Sequence, residues 1–185
     1  MKRSRVLAAV TLVILALAIV ALARVSSSPQ ASSEETIGGT ITATRIITQN
    51  ARLTGDVTCT VDSAPCIQFG APGITLNLNG FTITGLADPS TSCRGSRVGN
   101  ATGTFNEDGI AAIDQSDITV KGPGLVQRFR ADGITLLNSN RSLVAQVTAS
   151  TNCQSGILVF NSSDAHIEAN VSVRNGNSVF PCGGI

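Results

Sequence analysis

The chain has no tryptophan and no tyrosine, and only one histidine and one methionine in 185 residues. Past residue 23 it has a single lysine, Lys121. Without the three basic residues at the start, ten basic side chains face twelve acidic ones, a net charge near −2. No basic surface for nucleic acid follows from that balance. A paired Cys-x-x-Cys and a Cys/His spacing are also missing, which leaves no zinc site. No amphipathic helical pattern of useful length occurs after residue 36, so helical repeats are excluded. What remains is rich in Gly, Thr, Ser, Asn, Ile and Val, the residues of short strands and turns.

The first residues set the compartment. Lys2, Arg3 and Arg5 precede an uncharged stretch from Val6 to Ala23 that ends in the small-x-small site Ala21-Leu22-Ala23. This is an export signal, residues 1–23. Its apolar stretch is long enough that an uncleaved membrane anchor is the rival, the only membrane contact the sequence offers. Either way the remainder lies outside the cytoplasm. Residues 24–36, rich in Ser, Gln and Glu, read as a flexible linker. The five cysteines suit an oxidising compartment. Cys59 and Cys66 bracket a turn-like segment and are expected to form a local disulfide, which leaves Cys93, Cys153 and Cys182 with one thiol unmatched.

An internal repeat dominates the rest. Gly-Ile recurs at Gly73-Ile74, Gly109-Ile110, Gly133-Ile134, Gly156-Ile157 and Gly184-Ile185. Each is followed by a short alternating strand, a polar turn and a second apolar pair, such as Ile118 and Val120, Leu143 and Ala145, or Ile167 and Ala169. Five residues before each Ile stand Phe69, Phe105, Phe129, Asn152 and Phe180, which predicts a stacked column of rings. Four residues after the Ile stand Asp114, Asn138 and Asn161, which predicts a column of left-handed turns bonded side chain to side chain. In-phase positions every coil point to an all-β, right-handed parallel β-helix of about five coils over residues 37–185. A hairpin sandwich, the alternative that Asn79-Gly80 and Asn175-Gly176 suggest, gives no reason for such phasing. The step from Ile74 to Ile110 exceeds the common one by about a dozen residues, which predicts a loop extruded within Leu86 to Phe105. The final Gly183-Gly184-Ile185 reads as the start of a further coil, so continuation of the chain or completion by a partner is expected.

The stretch Gly73-Ile74-Thr75-Leu76-Asn77-Leu78-Asn79-Gly80-Phe81-Thr82-Ile83-Thr84-Gly85 resembles the opening coil of secreted right-handed parallel β-helix repeat proteins. The Gly-Ile coils downstream are similar to their repeat, over roughly residues 36–185. The resemblance implies kinship with the pectate-lyase and polygalacturonase superfamily, hence carbohydrate binding or cleavage. Lyases of that group use Arg with carboxylate-bound Ca²⁺, and polygalacturonases use clustered Asp. Asn106-Glu107-Asp108-Gly109-Ile110 partly matches the first polygalacturonase motif, but the Asp-Asp, Gly-His-Gly and Arg-x-Lys motifs are absent, and His166 does not replace them.

The candidates for chemistry are Asp108, Asp132 and Arg130. The two aspartates each precede Gly-Ile one coil apart. Paired carboxylates at that spacing split acid and nucleophile roles, share a proton or hold Ca²⁺. Asp before Gly is also the ordinary way into a tight turn, and a turn role is the simpler reading. The expected function is binding, less so cleavage, of an extracellular polysaccharide. No resident cofactor is expected, with Ca²⁺ as the reserve. A structural or adhesive surface protein is the alternative.

Overall fold

A computed structural model describes residues 34–87 and 107–176. The signal or anchor, most of the linker, the extruded loop, Phe105, Phe180, Cys93, Cys182 and the last Gly-Ile lie outside the described residues. Among the described residues no helix is long and apolar enough to cross a membrane.

Thirteen strands form: β1 (Glu35–Ile41), β2 (Arg45–Ile47), β3 (Ala51–Cys59), β4 (Ile67–Phe69), β5 (Thr75–Asn77), β6 (Thr82–Thr84), β7 (Ile110–Ile113), β8 (Thr119–Gln127), β9 (Ile134–Leu137), β10 (Leu143–Ser150), β11 (Ile157–Phe160), β12 (His166–Glu168) and β13 (Val171–Val173). β1 begins inside the stretch read as linker. The smaller sheet runs β2-β4-β7-β9-β11. The larger runs β1-β3-β5-β8-β10-β12, with β6 beside β3 and β8, and β13 beside β10. Every pairing in both sheets is parallel. The chain alternates between the sheets, one pass through each per coil, which makes the right-handed parallel β-helix that the repeat predicts.

Alternation along each strand sends one apolar column inward from each sheet. Ile67, Ile110, Ile134 and Ile157 stand in register on the smaller sheet. Leu76, Val120, Val144 and Ile167 do so on the larger. Most are completely buried, each worth about 1.5–3 kcal/mol relative to exposure. The in-register trio is thus Val120, Val144 and Ile167. Leu143 pairs with Thr119, so it stands one residue out of the column that Val120 and Val144 share.

The glycine of Gly-Ile has a steric cause. A Cβ on Gly109 would meet the Gly133 carbonyl oxygen at 2.6 Å, and a Cβ on Gly133 would meet that of Gly156 at 2.6 Å. At this corner the backbone of each coil occupies the space a side chain would need.

The first Gly-Ile breaks the pattern. Gly73-Ile74 precedes β5, and Thr75 pairs with Thr119, so it belongs to the larger sheet. Ile67, which follows Cys66 rather than Gly, takes the place one coil before Ile110. The step from Ile67 to Ile110 is 43 residues where the next two are 24 and 23, so the chain inserts more than the expected dozen residues there. The expected ring column fails for the same reason. Phe69 lies within β4 beside Ile47, whereas Phe129 follows β8 at a corner, on a column continued by Asn152 and Asn175.

The Asx column forms as predicted. Asp114, Asn138 and Asn161 have φ of 55°, 52° and 49°. Asn138 Nδ2 donates to Asp114 Oδ1 at 2.7 Å, and Asn161 Nδ2 donates to Asn138 Oδ1 at 2.5 Å. Asn138→Ala removes both bonds and leaves alanine at positive φ. It is expected to cost about 2 kcal/mol in urea unfolding, about 0.5 kcal/mol for each of the two exposed bonds and about 1 kcal/mol for the backbone. An unchanged midpoint would show that the column contributes nothing.

The disulfide Cys59–Cys66 is present, with a Cα–Cα distance of 5.9 Å. Cys153 is disulfide-bonded as well.

Candidate functional site

Asp108 and Asp132 stand on successive coils, in the corner that leads into β7 and β9. They are 0 % and 1 % exposed. Asp108 Oδ1 accepts the Asp132 N–H at 3.1 Å, and Asp132 Oδ1 accepts the Ser155 N–H at 2.5 Å. The backbone runs the same ladder: the Cys66 N–H bonds the Asp108 carbonyl, the Gly109 N–H that of Asp132, and the Gly133 N–H that of Ser155. Each aspartate therefore satisfies a backbone donor of the next coil, where the tight glycine corner interrupts the strand pairing.

Their burial sets their protonation. Desolvation, reinforced by the Asp132 charge, holds the Asp108 carboxyl well above the usual carboxylate range, against the Asp132 N–H and the Thr135 hydroxyl. Asp132 is pushed up to about 6, again by desolvation, with the Ser155 N–H and hydroxyl and the Thr135 hydroxyl opposing. Thr135 lies close enough to favour both ionised forms, yet neither approach meets hydrogen-bond geometry. Thr135 Oγ1 and Asp108 Oδ2 are both buried without a partner.

Arg130 sits at the surface of the same corner. Its Nη1 contacts Glu107 Oε1 at 2.8 Å and Asp62 Oδ1 at 3.2 Å. Glu107 also accepts the Ser63 N–H at 3.0 Å. Burial raises the Glu107 pKa, while the bond from Glu107, and then Arg130, lowers that of exposed Asp62. Arg130 thus ties the Cys59–Cys66 loop to the coil two passes on. The structure brings the three sequence candidates to one corner. It buries the two carboxylates and engages the guanidinium with two other acids. Asp62, Thr135 and Ser155 were not legible as members. Asp62 alone had a signal, its place inside the cysteine-bracketed loop.

A second feature lies at the corner after the smaller sheet. Asn138, Asn140, Asn161, Ser162 and Ser163 line an open depression of about 740 Å³. His166 is elsewhere, exposed on β12 and in register with Leu143.

Parallel stacking, a two-sheet core and corners carrying the polar groups define a right-handed parallel β-helix protein. Residues 46–182 match the family described as periplasmic copper-binding protein (NosD), and the chain belongs to that family. It is accordingly an extracytoplasmic β-helix protein. Comparison with curated proteins and with solved structures finds no match.

This family corrects the expectation of no cofactor with Ca²⁺ in reserve, because its description names copper. Copper favours thiolate, thioether and imidazole donors in convergent sets. Among the described residues no group of three His, Cys, Asp or Glu side chains is placed to hold a metal ion. His166 is alone, and Cys59, Cys66 and Cys153 are in disulfides. The described residues do not fit a copper centre.

Proposed function

We propose that the chain is a non-catalytic module that binds an extracellular polysaccharide. The observation that carries this reading is the repetition of one outward polar column from coil to coil. Asp114, Asn138 and Asn161 recur at the rung spacing of about 4.8 Å. A surface that repeats along one axis suits a polymer that repeats along its own. The resemblance of residues 36–185 to sugar-binding and sugar-cleaving β-helices supports the same class. Cleavage is the weaker reading, since a buried Asp108 and Asp132 do not reach a chain lying on the surface and Arg130 is held by Glu107 and Asp62.

The test is a glycan array followed by calorimetric titration of the exported form. The expected result is saturable binding to at least one polysaccharide, tightening with oligosaccharide length, with no change in product profile after long incubation. Absence of binding to every glycan would overturn the proposal and favour a structural role. Release of shortened sugars would overturn its non-catalytic part.

A further inference from the structure

We propose that Asp108, Thr135 and Asp132 hold a single proton between them, as a latch between two successive coils at the corner that leads into β7 and β9. In the closed latch Asp108 Oδ2 carries the proton and donates it to Thr135 Oγ1, whose own hydrogen turns to Asp132. Two atoms left over by the fold point to this arrangement. Asp108 Oδ2 and Thr135 Oγ1 are buried without a partner, a costly state for a polar atom. Neither stands at an edge of the stack. The Cys66 N–H bonds the Asp108 carbonyl from the coil before, and Asp132 and Ser155 follow on the next two coils.

Charge decides how the two atoms are satisfied. Two ionised carboxylates, both buried and one coil apart, would repel each other and would each lack water. The cations of this corner are engaged elsewhere. Arg130 lies at the surface against Glu107 and Asp62, and Arg128 is exposed and donates to the Ala87 carbonyl. β7, β9 and β11 carry no charged residue. Cys66, Gln154 and Ser155 on the neighbouring coils are neutral. One retained proton removes one of the two buried charges.

The place of that proton follows from the donors. Asp132 accepts the Ser155 N–H and is approached by the Ser155 and Thr135 hydroxyls, all of which favour its ionised form. Asp108 is completely buried, accepts a single N–H and is approached by the Thr135 hydroxyl. The proton therefore stays on Asp108. A hydroxyl accepts as well as donates, so Thr135 takes the bond from Asp108 and passes its own hydrogen to Asp132. Loss of the proton at higher pH sets two like charges one coil apart and takes the donor from Thr135, which opens the corner. The Asp132 and Ser155 N–H groups, each bonded to one of the two carboxyls, report that opening.

The experiment follows the side-chain carboxyl carbons of Asp108 and Asp132 by carbon-13 NMR in the exported full chain as pH is raised, with amide hydrogen exchange at Asp132 and Ser155. The expected result at pH 7.5 is one protonated carboxyl, that of Asp108, and one ionised. Thr135→Val keeps the shape and removes the bridging hydroxyl. It should lower the pH at which Asp108 gives up its proton and raise that of Asp132, each by about one pH unit, a tenfold change in proton affinity. Thr135→Ser keeps the hydroxyl and should leave both midpoints in place. Asp108→Asn puts a permanent donor where the proton sits, so protection of the two N–H groups should no longer fall as pH rises. Two ionised or two protonated carboxyls at pH 7.5 would overturn the latch. So would midpoints that Thr135→Val leaves unmoved or shifts in the same direction. Should Thr135→Val not fold, the parent titration and Asp108→Asn decide, and a loss of protection with pH that persists in Asp108→Asn would overturn it.

Discussion

Gly133→Ala is expected to destabilise the protein by about 3 kcal/mol, at the upper end of the usual cost of forcing atoms into a filled interior. The new methyl would lie 2.6 Å from the Gly156 carbonyl oxygen and 2.7 Å from Asn152 Nδ2. The first contact is backbone, so relief requires the two coils to part. Parting them strains the Ser155 N–H bond to Asp132 and the Gly133 N–H bond to Ser155, both in the same corner. Gly55→Ala is the matched control. Gly55 lies in β3, has no atom within 4 Å of the place a methyl would take, and does not have positive φ. Its replacement should shift stability by no more than about 0.5 kcal/mol. Equal midpoints for the two variants in urea would remove the steric explanation of the Gly-Ile repeat.

The second large effect is in pH. Asp132 has a folded-state pKa of about 6, raised chiefly by burial, above the value near 4 of an unfolded carboxylate. A raised carboxyl binds its proton more tightly folded than unfolded. The stability it contributes is therefore complete below about pH 4 and lost as pH rises through about 6. The loss is on the order of 3 kcal/mol. Asp108 is shifted in the same direction, chiefly by burial and then by the Asp132 charge, so its contribution is likewise lost as pH rises. Asp62 and Asp117 are shifted down but are fully exposed, and their windows lie below that of Asp132. The protein should thus unfold at a higher urea concentration at pH 5 than at pH 7.5. Asp132→Asn keeps an oxygen for the Ser155 N–H and has no proton to lose. It should flatten the profile and raise stability at pH 7.5. Stability that climbs from pH 5 to 7.5 in the parent chain would contradict the burial of an uncompensated carboxylate pair.

The parts of this fold that were legible are those repeated at constant spacing. Ile110, Ile134 and Ile157 fall 24 and 23 residues apart and are in register. The Asp114, Asn138, Asn161 column follows from them, since a fixed offset in sequence is a fixed place on the coil. Cys59–Cys66 was legible because the bridge closes a short local turn. Gly73-Ile74 misled, because the same dipeptide serves a corner of the other sheet, and sequence spacing does not label which sheet a strand joins. The ring column built on it failed at Phe69 and Phe129. For Asp108 and Asp132 the one-coil spacing was legible and the turn role was the simpler reading. Their complete burial was not legible, because it depends on what surrounds the corner rather than on any period. The depression was illegible too.

The central claim is that successive coils lie side by side in parallel at one fixed register, and cross-strand proton contacts in labelled protein test it most directly. The account predicts contacts between Thr119 and Leu143, between Leu143 and His166, between Val144 and Ile167, and between Ala145 and Glu168, all rising together along the chain. Contacts that fall as they rise, with Leu143 beside Glu168 and Ala145 beside His166, would mean antiparallel strands and would contradict it.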